Sequence, residues 1–215
     1  MMIWLFRRVR VAPEGWVFVL PLIGATVLSA LLGWWGVTGV GLVLTIGVAL
    51  FFRDPERIIP PSPETIVSPA DGRIMEIISE NTQTRRISIF LSLWDVHINR
   101  APYGGVIRSI VYTPGKFLPA YRQEASLINE ANTMTIADHG REFIVKQIAG
   151  VLARRIVCRV RPGDTLEKGQ RFGLIRFGSR TDLLLPATAE IAVQVGDVVR
   201  GGETILAFLK EPPGA

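Results

Sequence analysis

Gly163-Asp164-Thr165-Leu166-Glu167-Lys168-Gly169-Gln170 is echoed 33 residues later by Gly196-Asp197-Val198-Val199-Arg200-Gly201-Gly202-Glu203. Each copy is a tight turn that leads into a strand, and a repeated turn and strand describes a sheet that builds the same corner twice. Working outward, Thr65–Val67, Arg73–Ile78, Arg86–Leu91, Val106–Tyr112, Thr133–Ile136 and Glu142–Ile148 read as short β runs bounded by turn residues. Between them only Ala120–Glu130 lacks strand character, which predicts a helix or a loop there.

The N-terminal quarter follows another rule. No charged side chain occurs from Trp16 to Phe52. One straight helix of that length would extend roughly 55 Å at about 1.5 Å per residue, well beyond the ~30 Å hydrocarbon core of a bilayer. Two helices within 16–52 fit instead, reversing near Gly33-Trp34-Trp35-Gly36, where glycine permits the turn and tryptophan suits the membrane interface. Arg7, Arg8 and Arg10 precede the run and Arg53 and Arg57 follow it, which predicts a transmembrane hairpin with both ends in the cytoplasm. A cleaved signal peptide would have a far shorter apolar region. The stretch Ile58-Ile59-Pro60-Pro61-Ser62-Pro63 then reads as a stiff linker, giving an anchor over 1–57 and a β-rich domain over 58–215.

The 215-residue chain is 48% apolar with a formal charge of +5, which favours an anionic membrane surface over nucleic acid, since its basic residues form no stripe with aromatics. Cys158 is the only cysteine, so no internal disulfide or cysteine cluster can form. It alternates with Ile156 and Val160 and is expected to be a buried, inert thiol. The scattered carboxylates and two histidines lack metal-site spacing, so no metal is expected.

Gly178-Ser179 closes the strand-like run from Gly173 and is a common turn dipeptide by itself. A serine placed against the preceding glycyl carbonyl can also attack it. The acyl group then moves from nitrogen to oxygen, and elimination leaves a dehydroalanine that hydrolyses to a pyruvoyl group. Such a serine needs a base. The candidates are His97, in Trp94-Asp95-Val96-His97-Ile98-Asn99-Arg100, and His139, in the hairpin-like Ala137-Asp138-His139-Gly140 and expected to be exposed.

Val67-Ser68-Pro69-Ala70-Asp71-Gly72, the segment Leu91–Pro102 around His97, Phe177-Gly178-Ser179-Arg180 and the apolar N-terminus together resemble the phosphatidylserine decarboxylase proenzyme family in its short bacterial form, over about Arg53–Leu209. The repeated turns resemble those of biotinyl and lipoyl domains, although the carrier lysine motif is absent. The implied fold is mainly β: a biotinyl/lipoyl-like β-sandwich (barrel-sandwich hybrid) preceded by the transmembrane helical hairpin. The resemblance implies a triad of Asp71, His97 and Ser179, cleavage between Gly178 and Ser179, and a pyruvoyl cofactor on Ser179 that forms a Schiff base with phosphatidylserine and releases phosphatidylethanolamine.

Fragments 1–178 and 179–215 would stay together, at the cytoplasmic face of the bacterial inner membrane, with self-association left open. Arg100 or Arg180 would pair with the lipid phosphate. Long-form members carry Leu-Gly-Ser-Thr at the cleavage point and a second histidine where this chain has Arg100. Two alternatives remain open: a noncatalytic membrane-anchored adaptor, and a pyruvoyl decarboxylase of another amino-acid headgroup.

Overall fold

The computed structural model describes residues 9–120, 122, 124–151, 155–176 and 179–209. The chain divides into two compact units, Met1–Glu56 and Arg57–Ala215.

In the first unit, β1 (Val9–Val11) precedes helices α1 (Pro13–Leu31) and α2 (Trp35–Phe51), and β2 (Arg53–Pro55) returns to pair antiparallel with β1. Pro13 pre-sets the first helical turn, and Glu14 lies where the helix dipole favours an acid. The reversal uses Gly33 at φ +75. The helices pack on each other, with the Ser29 and Thr38 hydroxyls 2.9 Å apart and Gly41 leaving room for Thr26. Their remaining apolar side chains, among them Val17, Leu31, Trp35 and Val43, face outward. At 19 residues α1 is long and apolar enough to cross a membrane, and α2 is an apolar helix of 17.

The second unit runs β3 (Thr65–Val67), β4 (Gly72–Ser79), β5 (Thr84–Leu91), β6 (Ile98–Arg100), β7 (Gly105–Thr113), α3 (Ala125–Ile128), β8 (Ala131–Asp138), β9 (Arg141–Ala149), β10 (Ile156–Cys158), β11 (Thr165–Leu166), β12 (Arg171–Ile175), β13 (Ser179–Pro186), β14 (Glu190–Ile191), β15 (Val198–Val199) and β16 (Ile205–Phe208). A curled, half-barrel sheet takes eight strands in the order β11-β7-β8-β9-β13-β5-β4-β15, and smaller sheets are ordered β10-β12-β6 and β14-β16-β3. Neighbouring strands are antiparallel throughout. Alternation fills the core. Ile87, Ile89 and Leu91 of β5, Met134 and Ile136 of β8, Phe143 and Val145 of β9, and Leu183 and Leu185 of β13 point to one side and are buried together. Among its described residues, the run expected to lack strands holds the single turn α3 and an isolated bridge at Asn129.

The echo of 33 residues extends through the backbone. Gly163 and Gly196 donate to the carbonyls of Ile107 and Ile74, whose amides donate back to Asp164 and Asp197. Val67 donates to the Pro102 carbonyl and Arg100 to that of Pro69, while Gly202 and Gly169 bond Ser68 and Ala101. Gly72 and Gly105 occupy equivalent places at φ +147 and +152, and a Cβ there would meet the carbonyl oxygens of Phe90 and Ala137.

Three local expectations change. The 58–63 segment is pinned down: the Ile58 amide donates to Glu203, and Ile59 covers Gly169 and Gly202. Cys158 is half-buried, because its sheet ends at β10. Ser179 opens a new strand instead of closing the one before it, since β12 stops at Ile175.

Candidate active site

Strand β13 lies between β9 and β5 at the centre of the large sheet, and its first five residues are buried on both faces. Ser179 heads it, paired with Ala149 on one side and Leu91 on the other. The Ser179 side chain has no solvent exposure, and its Oγ has no hydrogen-bond partner among the described residues. Buried hydroxyls are almost always satisfied, so an orphaned one calls for a functional reason. A new hydroxyl-derived group in that place would disturb no existing bond. Gly178, the other half of the expected cleavage site, lies outside the described residues, as do Arg7 and Arg8.

One face of β13 continues from Ser179 to Thr181, and Thr181 leads to Asn99. The fully buried Asn99 Nδ2 donates to Thr181 Oγ1 at 3.2 Å and to the Pro69 carbonyl at 3.4 Å, while its Oδ1 accepts from Gln147 Nε2 at 2.9 Å. Three sequence segments that are distant along the chain, around Pro69, Asn99 and Thr181, therefore meet at one amide. Asn99 is the residue sequence reasoning missed. Its only signal is a polar side chain between Ile98 and Arg100 in a strand buried at every position.

His97 is enclosed just before β6. Its carbonyl accepts from Ile175, which packs with Ala149, the register partner of Ser179. His97 Nδ1 lies 2.9 Å from the Asp95 carbonyl oxygen. A carbonyl only accepts, so Nδ1 carries the proton and the basic lone pair of the neutral ring falls on Nε2. The loop that holds it is closed by Asp95 Oδ2, which accepts from both the amide and hydroxyl of Ser92 at 2.8 and 2.7 Å.

Asp71 has other partners than the expected histidine. Arg57 Nη2 donates to both carboxylate oxygens at 2.9 and 2.7 Å, and the Gly201 amide donates to Oδ1 at 2.7 Å. Arg57 Nη1 also reaches Glu203 at 3.3 Å. Burial pushes the Asp71 pKa up; Arg57 and the Gly201 amide oppose that, and the neighbouring charge of Asp95 adds to it. Asp71 thus lies within electrostatic reach of the residue whose carbonyl orients His97.

The two arginines are enclosed. Arg100 donates from Nη1 to the Gly169 carbonyl at 3.0 Å. Arg180 points to the face opposite Ser179, where Nε meets Asp182 at 2.6 Å and Nη2 meets Ser88 at 2.7 Å. His139 sits exposed in the turn between β8 and β9, at φ 44 beside Gly140 at φ +79, a two-residue turn with both φ values positive. Among the described residues no group of three or more His, Cys, Asp or Glu side chains is placed to hold a metal.

The sequence model of the phosphatidylserine decarboxylase family matches residues 44–207. The chain belongs to the phosphatidylserine decarboxylase family. Among its relatives, the phosphatidylserine decarboxylase proenzyme of Symbiobacterium thermophilum is 46% identical over 95% of this chain and 98% of its own. That of Nitratidesulfovibrio vulgaris is 45% identical over 96% and 98%, and that of Magnetococcus marinus 41% over 93% and 95%. Within this family the segments that meet at Asn99 are those that carried the sequence resemblance.

Proposed function

We propose that the chain cleaves itself between Gly178 and Ser179, and that the matured protein decarboxylates phosphatidylserine to phosphatidylethanolamine. The observation that carries this reading is the buried, unpartnered hydroxyl of Ser179 at the head of the central strand. In the cut, His97 Nε2 takes the proton of Ser179 Oγ as the oxygen attacks the Gly178 carbonyl carbon, and the acyl group passes from the Ser179 nitrogen to its oxygen. Elimination removes the Cα proton of residue 179 to a base and breaks the Cβ–O bond, which frees Gly178 as a carboxylate and leaves a dehydroalanine. Addition of water to the resulting enamine expels ammonia and leaves the pyruvoyl group at position 179.

That group supplies the electron sink for loss of carbon dioxide from the serine headgroup. The chain's own residues do the rest. The flanking strands β5 and β9 hold position 179 in the buried centre of the sheet, and His97 returns a proton from Nε2 to the headgroup carbon. We assign Asp71 to positioning beside the His97 loop, where it is close enough to feel the charge of Asp95 and is held in place by Arg57. We assign Arg100 and Arg180 to positioning, because both are bonded inside the fold.

Fragment 179–215 contributes β13, β15 and β16, each paired to a strand of 1–178, which supports continued association after the cut. The doubled turns and their matched bonds support a biotinyl/lipoyl-like sandwich. We assign residues 1–57 to a hairpin anchor and 58–215 to the catalytic part. Arginines on both flanks of the apolar run favour the cytoplasmic face of a bacterial inner membrane.

The test is conversion of phosphatidylserine in mixed micelles by the purified full chain, following phosphatidylethanolamine and carbon dioxide together. Stoichiometric appearance of both, absent in His97→Ala, is expected. No conversion by a chain that has cut itself would move the reading to another headgroup.

A further inference from the structure

The strands that flank Ser179 end beside it, and the loops beyond them carry apolar side chains in the open. Leu91 closes β5 and pairs with Ser179; the next loop bears Leu93 at 45% and Trp94 at 84% exposure. Ala149 closes β9 and pairs with Ser179 from the other side; Val151 beyond it is half exposed. Asn129 Nδ2 donates to the Ala149 carbonyl at 2.7 Å, and two residues before it Leu127 is 82% exposed.

The Trp94 loop is built, not loose. Asp95 caps Ser92 twice with its side chain and donates its own amide to the Ser92 carbonyl. Trp94 is also the only tryptophan in the second unit. A rigid turn that leaves an indole in water beside a buried histidine is an arrangement that water alone does not stabilise.

Beside the loop lie two cations. Arg155 and Arg176 lie next to each other, joined by the Arg176 amide to the Arg155 carbonyl at 3.2 Å. The register of β12 with β6, which places Leu174 opposite Ile98, carries Arg176 to a position across from Val96, at the base of the Trp94 loop. Tryptophan and leucine ringed by arginine is the composition that settles at the boundary of headgroups and acyl chains of an anionic bilayer.

We propose that this rim, with Leu93, Trp94, Leu127 and Val151 as its apolar contacts and Arg155 and Arg176 as its cations, docks the catalytic unit onto an anionic phospholipid surface. It rests on the proposed lipid substrate. Docked by this rim, the Ser179 end of the sheet faces the bilayer, and a serine headgroup reaches position 179 with its acyl chains still in lipid. The N-terminal helices hold the chain at the membrane, and the rim chooses which end of the sheet meets it.

The test places a cysteine at position 94 in the full chain carrying Cys158→Ala, labels it with an environment-sensitive fluorophore, and reconstitutes the protein in vesicles of phosphatidylcholine with phosphatidylglycerol. Phosphatidylglycerol is anionic but offers no serine headgroup, so docking is read without turnover. A label at position 139, in the turn at the far end of β9 and about 27 Å along that strand at ~3.3 Å per residue, is the reference.

Headgroup nitroxide lipids are expected to quench the label at 94 about threefold more than that at 139. The excess should shrink in phosphatidylcholine alone. Equal quenching overturns the proposal, as does shielding of position 94 in detergent that grows with protein concentration, which marks a second copy as the occupant. Quenching at 94 by a chain that does not decarboxylate phosphatidylserine would leave the docking rim standing and refute the substrate reading alone.

Discussion

Replacing Arg57 by methionine probes the link between Asp71 and the rest of the site. The guanidinium serves two carboxylates, Asp71 and Glu203, whose side chains are 14% and 13% exposed. Methionine keeps much of the aliphatic bulk and removes the charge, so both acids stay enclosed without their cation. Removing one partner of a buried pair costs about 3–5 kcal/mol. The amides of Gly201 and Ile58 still donate to these carboxylates, which places Arg57→Met near the lower end, about 3 kcal/mol at neutral pH. For a unit of this size that is a fall in Tm of about 6–12 °C.

The loss depends on pH, and its sign follows from Asp71. Burial already raises its pKa above the 3.8 of an exposed aspartate, with Arg57 opposing. Without Arg57 it rises further. A raised carboxyl binds its proton more tightly in the folded than in the unfolded state, so its contribution is present at low pH and lost as pH climbs through the folded value. The Tm gap between wild type and Arg57→Met is therefore widest near pH 8 and narrows toward pH 5. Asp71→Asn added to Arg57→Met should recover about 1–2 kcal/mol at pH 8, because the amide needs no cation and still accepts from Gly201. Thermal melts in detergent from pH 5 to 8 measure both. A gap that does not change with pH, or a double variant weaker than Arg57→Met, would refute this account of Asp71.

Three further substitutions test other parts of the frame. Asn99→Leu strands the Thr181 hydroxyl and the Gln147 amide in the core and should cost about 2–4 kcal/mol in chemical denaturation while slowing self-cleavage on gels. Gly72→Ala puts a methyl group 2.1 Å from the Phe90 carbonyl oxygen at φ +147, so it should leave the chain insoluble or uncut, whereas Gly163→Ala meets open space and should lose only about 1–2 kcal/mol by melting. Arg180→Met removes the closest cation of Asp182, which has no solvent exposure, leaving it Arg86 at 3.8 Å and the Ser126 hydroxyl, and a loss of about 3 kcal/mol by denaturant titration is expected.

Much of the fold was legible because alternation is a local signal. Ile87 and Ile89, or Phe143 and Val145, announce a strand and its buried face without any knowledge of partners. The repeated turns were legible for a similar reason, since Gly163, Gly169, Gly196 and Gly202 all take φ values between +77 and +98 that other residues avoid. Pairing is not local, and there the sequence is silent. Ser179 looked like the end of one strand because β12 and β13 are separated by only three residues, and nothing local shows that they belong to different sheets.

Site chemistry divides the same way. His97 and Ser179 stood out by residue type and motif. The partners of Asp71 could not be read, because Arg57 lies beyond a proline-rich stretch and Gly201 is 130 residues away. Arg180 read as a partner for the lipid phosphate, yet its strand has neighbours on both sides and Asp182 and Ser88 beside it. A charge in a central strand is informative only once its facing residues are known.

Intact mass spectrometry of the purified full chain beside Ser179→Ala tests the central claim most directly. The account predicts two wild-type fragments that separate only on denaturation, the smaller starting at position 179 with a pyruvoyl group in place of its amino terminus, and a single uncut chain for Ser179→Ala. One uncut wild-type chain, folded and incubated until nothing further changes, would contradict it.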